Sequence, residues 1–181
     1  MTSTTVFTNA RVVLPTEVVC GTVEVRAGRI ADVQPGRSNC PSAQDLDGDY
    51  VLPGIVELHT DNFERHINPR PNVRWPSRDA IVAHDAQIAA AGITTVFDAI
   101  SIGDLFEDSP RIRFLDDMVD AVRDARLDGA LRAEHLLHLR CELTFAHVVE
   151  SLERLSAGPL VSLVSIMDHS PGQRQFADVA K

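Results

Sequence analysis

The apolar run VLPGIVELHTDN, Val51 to Asn62, ends in His59-Thr60-Asp61. A strand that only fills a core has no use for an imidazole and a carboxylate at its last positions. Residues two apart on a strand share a face and lie about 6–7 Å apart along the chain. His59 and Asp61 can therefore reach one divalent metal ion from a strand end, and both are metal-ligand types. A second constellation lies in HLLHLRCEL, 135–143. Strand parity puts Leu136, His138, Arg140 and Glu142 on one face and His135, Leu137, Leu139 and Cys141 on the other. Three polar groups in a row are costly on a strand buried on both faces unless they line a site. A third lies at Asp168-His169, after the apolar run LVSLVSIM. The bland alternatives are a satisfied core histidine for His59 and a surface acid for Glu142. The neighbouring polar groups argue against both. His84 and His147 fall on helical stretches and read as structural or exposed. Asp98 stands between a site role and a helix-capping or turn role. Trp75 reads as a loop anchor.

Arginine is the other signal. Arg65, Arg70, Arg74 and Arg78 crowd into ERHINPRPNVRWPSR, with His66 among them. Guanidinium forks bind phosphate at two points, so a small polyanion is a fitting ligand, against the bland reading of a solvated loop. The net charge of -9 over 181 residues argues against a nucleic-acid or anionic-membrane binder. The only lysine is Lys181. That excludes a Walker A loop and Schiff-base chemistry on an internal lysine within these residues.

These residues need elements to position them. Residues 1–50 read as short strands, TVFTNARVVL, EVVCGTVEVRAG and RIADVQPG, broken by glycines, with a polar connector after them. From about residue 51 the pattern becomes strand then helix, repeated. The strands are GIVELH, TTVFDAI (94–100), HLLHLRCEL (135–143) and LVSLVSIMD (160–168). Helices are expected from about Arg78 to Ala91 with Ser77 as N-cap, from Ser109-Pro110 to Gly129, and from about Phe145 to Ala157. Strands alternating with helices mean parallel β/α architecture. In a β/α barrel the site lies at the C-terminal strand ends, where His59, Asp61, Glu142 and His169 all fall. No run of about 18 apolar residues suggests a membrane span. The start MTSTTVFTNARVV lacks the pattern of a signal peptide. Three cysteines without a CxxC pair fit a reducing cytoplasm.

The stretch LDGDYVLPGIVELHTDN, after a short β segment, resembles the opening of the amidohydrolase superfamily of metal hydrolases. The His-x-Asp variant, with PRPNVRWP (69–76), HDAQIAAAGITTVFDAISIGD (84–104), HLRCEL (138–143) and MDHSPGQRQF (167–176), is similar to a narrower group, the diphosphatases of phosphonate catabolism in the carbon–phosphorus lyase pathway. The resemblance covers nearly the whole chain. It implies an α/β fold: the N-terminal part of a metal-dependent (β/α)8 TIM-type barrel, about four β/α units over 51–181, preceded over 1–50 by part of a small β-sandwich domain.

The resemblance also implies a cytoplasmic hydrolase. It would cleave a ribose 1-phosphonate 5-triphosphate to the 5-phosphate and pyrophosphate, using one or two divalent ions (Zn, Fe or Mn). His59, Asp61, Glu142 and His169 are the implied metal ligands, with Glu142 standing where many relatives use a carboxylated lysine. Arg70, Arg74, Arg140 and Arg174 are the candidates for the phosphates. The expected partners are the small phosphorylated substrate and either further copies of the chain or a complementary C-terminal half, with no nucleic acid and no membrane. A complete barrel takes ~250 residues. The aspartate expected as general base would lie beyond Lys181, so the chain reads as an N-terminal half, inactive alone. The alternatives are a non-catalytic fragment and another amidohydrolase, a cyclic-amide hydrolase or deaminase.

Overall fold

The structure is a computed structural model describing residues 3–104, 109–170 and 172. The chain divides into two compact units, Met1–Pro53 and Gly54–Lys181.

The first unit is one mixed sheet. β1 (Thr4–Val13), β2 (Val18–Arg26) and β3 (Arg29–Pro35) run antiparallel in the order β3-β2-β1. The short β4 (Gln44–Asp45) and β5 (Tyr50–Val51) pair parallel with β1. The two-residue turn joining β2 to β3 is Ala27-Gly28, both at positive φ. That geometry matches the right-handed twist of a hairpin. Alternate residues Ala10, Val12 and Val23 form the buried face.

The second unit is a parallel sheet with helices on one face. β6 (Ile55–Thr60), β7 (Ile93–Ile102), β8 (Glu134–Glu142) and β9 (Val161–Met167) lie side by side in sequence order. The crossovers carry α1 (Asn62–Ile67) and α2 (Ser77–Ala90), then α3 (Pro110–Arg113) and α4 (Leu115–Leu127), then α5 (Val148–Ser156). Four consecutive parallel strands, each joined to the next through helix, are the βα repeat of a TIM-type barrel. The core lies between sheet and helices: Ile100, Ile102, Leu137, Leu139 and Cys141 meet Phe63, Ile67, Leu115, Met118 and Val122. At helical spacing α4 buries Leu115, Met118, Ala121, Val122 and Ala125, with Val119 half-buried beside them.

Three local expectations are corrected. The basic stretch after Asp61 is not all loop, because Phe63 and Ile67, four apart, anchor the one-and-a-half-turn helix α1. Ser77 does not cap α2. Pro76 holds the N-cap position, and the Ser77 hydroxyl donates instead to Asp117 on α4 at 2.6 Å. The segment after Ser109 breaks at Phe114 into α3 and α4, although Ser109 does cap α3 by accepting from the Arg111 amide.

Strands β6 and β9 are the two edges of the sheet. Ile55, Val56 and Leu58 on one, and Val164 and Ile166 on the other, are exposed. Among the described residues no helix is long and apolar enough to cross a membrane.

Candidate metal centre

In a parallel sheet every C-terminal strand end points the same way, so β6, β8 and β9 present their terminal residues at one rim. Along β8 the parity read from sequence holds. His135, Leu137, Leu139 and Cys141 are buried, the last three in the core under the helices, while His138, Arg140 and Glu142 occupy the opposite face.

The four candidate ligands stand as two pairs. His59 Nε2 lies 3.7 Å from Asp61 Oδ2. Metal bonds of about 2.0–2.2 Å place two ligands of one ion roughly 3–4 Å apart, so this pair fits a single divalent cation. Arg140 donates to the other oxygen of Asp61 at 2.8 Å. In the second pair, Glu142 Oε2 and His169 Nδ1 are 2.5 Å apart. That is a charge-assisted hydrogen bond, closer than two ligands of one ion sit. The His169 amide and the Thr144 hydroxyl donate to the other Glu142 oxygen. Glu142 is almost wholly buried, and these donors are what make a buried carboxylate tolerable. The donor set, imidazole and carboxylate, suits a divalent metal.

His138 was seen from sequence only as a site-lining residue. Its Nδ1 lies 3.3 Å from His59 Nδ1 and its Nε2 lies 2.8 Å from Ser165 Oγ. Burial, the neighbouring His59 and Arg140 lower its pKa below that of an ordinary histidine, against opposing contributions from the Leu58 carbonyl and Asp61.

The arginines divide. Arg140 is tied to Asp61. Arg74 stacks over the Phe114 ring, 3.8 Å from its centroid, and pairs with Asp117. It lines a cleft of about 430 Å3 with Arg65, Arg111 and Met118. Arg70 pairs with Val73 through its backbone, its carbonyl accepting from the Val73 amide at 3.2 Å. Arg174 lies outside the described residues. Sequence reading missed Arg111. Its guanidinium takes both oxygens of Glu64, at 2.6 and 3.0 Å, which raises its pKa. It also lines a cavity of about 180 Å3 with Ser101, Glu142, Met167 and His169. The signal was its place two residues after the Ser109 cap, in helix α3 on the crossover between β7 and β8. Gly103, just after the end of β7, has φ +95°, and a Cβ there would meet the Phe145 side chain at 2.5 Å.

A second polar cluster lies on the other side of the sheet. Asp98, on the helix-facing side of β7, neither lines the rim nor caps a helix. It accepts from His84 Nε2 at 2.8 Å and from His135 Nδ1 at 2.6 Å. His135 Nε2 reaches Asp85 Oδ1 at 3.3 Å. Asp85 also accepts the amides of Arg132 and Ala133 and the Arg132 guanidinium. His84, Asp85, Asp98 and His135 have no exposed surface. Burial works against a charged ring at His135, yet the carboxylates on its two nitrogens outweigh it and raise its pKa. Burial likewise opposes ionisation of Asp85, and its four donors outweigh it and lower its pKa. Among the described residues, His84, Asp98 and His135 are the one set of three ligand-type residues whose donor atoms all lie within 4.8 Å of one another. Their separations are those of hydrogen bonds, and both nitrogens of His135 are engaged by carboxylates. The cluster is therefore an ion-pair network rather than a metal cage.

No family model matches the chain. It is 46% identical, over 97% of its length, to the α-D-ribose 1-methylphosphonate 5-triphosphate diphosphatase of Escherichia coli (strain K12), of which it covers 47%. The chain thus spans about half the length of that relative. Among solved structures, it superposes on an N-isopropylammelide isopropylaminohydrolase from Burkholderia multivorans with a TM-score of 0.59 and 16% identity, covering 94% of this chain and 54% of that one. A D-hydantoinase gives a TM-score of 0.58 and 19% identity, covering 90% of this chain and 32% of that one.

Proposed function

We propose that the chain is the metal-binding half of a diphosphatase acting on α-D-ribose 1-methylphosphonate 5-triphosphate in the cytoplasm, releasing pyrophosphate and leaving the 5-phosphate. The observation that carries this reading is the 46% sequence identity to the Escherichia coli enzyme over 97% of the chain. The residues that would hold one or two divalent ions are His59, Asp61, Glu142 and His169. Glu142 and His169, hydrogen-bonded to each other at 2.5 Å, would have to part to hold an ion between them. A bound Zn, Fe or Mn ion lowers the pKa of its water and polarises a phosphoryl oxygen.

The remaining work falls to side chains of this chain. Arg140 neutralises one oxygen of Asp61 and orients the other toward His59. Arg74 and Arg111 hold the outer phosphates, whose oxygens compete with Asp117 and Glu64 for the two guanidinium groups. The general base and the other strands of the barrel would come from a continuation of the chain or a complementary half, paired on the exposed edges of β6 and β9.

The test is pyrophosphate release from the ribose triphosphate by the barrel-complete protein. Amide hydrolysis or deamination with no pyrophosphate released would move the protein to a different reaction class. The 181 residues alone should show no more than trace turnover, since a positioned base contributes ~10²–10⁴ in rate.

A further inference from the structure

We propose that His138 is a positioning residue that sets the tautomer of His59: its Nδ1 accepts the Nδ1–H of His59, so that the Nε2 lone pair of His59 faces Asp61, and Ser165 fixes His138 in turn. The inference rests on the reading of His59 and Asp61 as metal ligands.

The Leu58 carbonyl is a further acceptor beside the His138 ring, and among the side chains of His59, His138 and Ser165 two proton arrangements are open. His59 Nδ1 and His138 Nδ1 are 3.3 Å apart and share one hydrogen. The other nitrogen of His138 is 2.8 Å from the Ser165 hydroxyl, which can donate or accept. If Ser165 donates to His138 and His138 donates to His59, the proton of His59 sits on Nε2. That proton points toward Asp61 Oδ2 at 3.7 Å, too far for a hydrogen bond, and blocks the nitrogen from a metal. If the relay runs the other way, His59 donates through Nδ1, His138 donates through Nε2 to Ser165, and Nε2 of His59 is a bare ligand atom. A cation between His59 and Asp61 selects this second arrangement. Metal-bound histidines as a rule donate their other ring N–H to a fixed acceptor.

The sheet is built to allow this contact. His59 is on β6 and His138 on β8, with β7 between them. The β7 residue paired with His138 is Ala99, whose single methyl leaves room for the two rings to meet edge to face, 5.2 Å between centroids. A larger residue at 99 would stand between them.

The experiment uses Zn2+ alone as the probe, with nitrogen-15 NMR of the histidine rings and a circular-dichroism check of folding. Three results are expected of the protein. Wild type shows His59 as the Nδ1–H tautomer when Zn2+ is bound. His138→Leu weakens Zn2+ binding by about 10–100-fold. His138→Asn, whose amide oxygen can stand in for the accepting nitrogen, recovers most of that loss. Ser165→Ala and Ala99→Leu weaken binding in the same direction and serve as the readout if His138→Leu does not fold. Folded variants at 99, 138 and 165 that bind Zn2+ like wild type, or a wild-type His59 protonated on Nε2 with metal bound, would overturn the proposal. Zn2+ binding that His59→Ala abolishes but those variants leave intact would sink this inference alone. Zn2+ binding unaffected by His59→Ala would remove the ligand assignment itself, and the relay with it.

Discussion

Replacing His135 with leucine tests the buried network under the helices. Leucine fills most of the space, so the main loss is electrostatic. Asp85 keeps three donors, two amides and a guanidinium. Among the described residues Asp98 keeps His84 alone, and it has no exposed surface. Breaking a buried pair by removing one partner costs about 3–5 kcal/mol. Against a total stability of roughly 5–15 kcal/mol that loss is large. The pH dependence has a definite sign. The pKa of His135 is raised in the folded state above the ordinary value of 6.5. Its contribution is thus full below about pH 6.5 and is lost as pH rises through the folded value. Asp85 is depressed below its ordinary 3.8, so its contribution is present above that and disappears as pH falls through the lower folded value. Urea unfolding followed by circular dichroism, from about pH 5 to about pH 9, gives the wild-type minus His135→Leu difference. That difference should be near 3–5 kcal/mol at the acid end and shrink toward alkaline pH. A difference below about 1 kcal/mol at pH 6, or one that grows as pH rises, would refute the charged-network reading.

Three further outcomes are expected. His59→Ala should lower the Zn, Fe or Mn content of purified protein by elemental analysis, and equal content in the two proteins would remove His59 from the ligand set. Gly103→Ala should lower stability by about 1–3 kcal/mol in thermal or urea unfolding, because φ +95° and the Phe145 side chain both oppose a Cβ; an unchanged midpoint would show that the loop relaxes freely. Cys40 should react with a thiol reagent ahead of Cys141 at neutral pH. Hydrogen bonds from Ser42 lower the exposed Cys40 thiol, while burial raises Cys141; the reverse order would contradict both environments.

The parallel β/α order was legible because apolar runs, helix periods and glycine stops agree from Gly54 onward. The rim residues were legible because His59, Asp61 and Glu142 end apolar runs with side chains of ligand type. The Asp98 network was not. A carboxylate in the middle of a strand is invisible as an anchor until its partners are known, and His84 and His135 come from elements 14 and 37 residues away. Arg111 was missed for a similar reason: its partner Glu64 is 47 residues distant. The pairing of Arg140 with Asp61 across 79 residues likewise has no local signature. Helix α1 escaped because two apolar residues in a charged run carry too little periodicity to be read.

The alternation along β8 bears on how this segment can tolerate change. Positions 135, 137, 139 and 141 pack under the helices, and positions 138, 140 and 142 face the rim. A saturation-mutagenesis scan of this strand should therefore separate into two interleaved phenotypes. Odd-numbered substitutions should lower abundance and be rescued by cooler growth or by stabilising changes elsewhere. Substitutions at 138, 140 and 142 should cost metal binding first, a loss that neither treatment restores. Two histidines three residues apart would thus fall in different classes, His135 with the odd positions and His138 with the even.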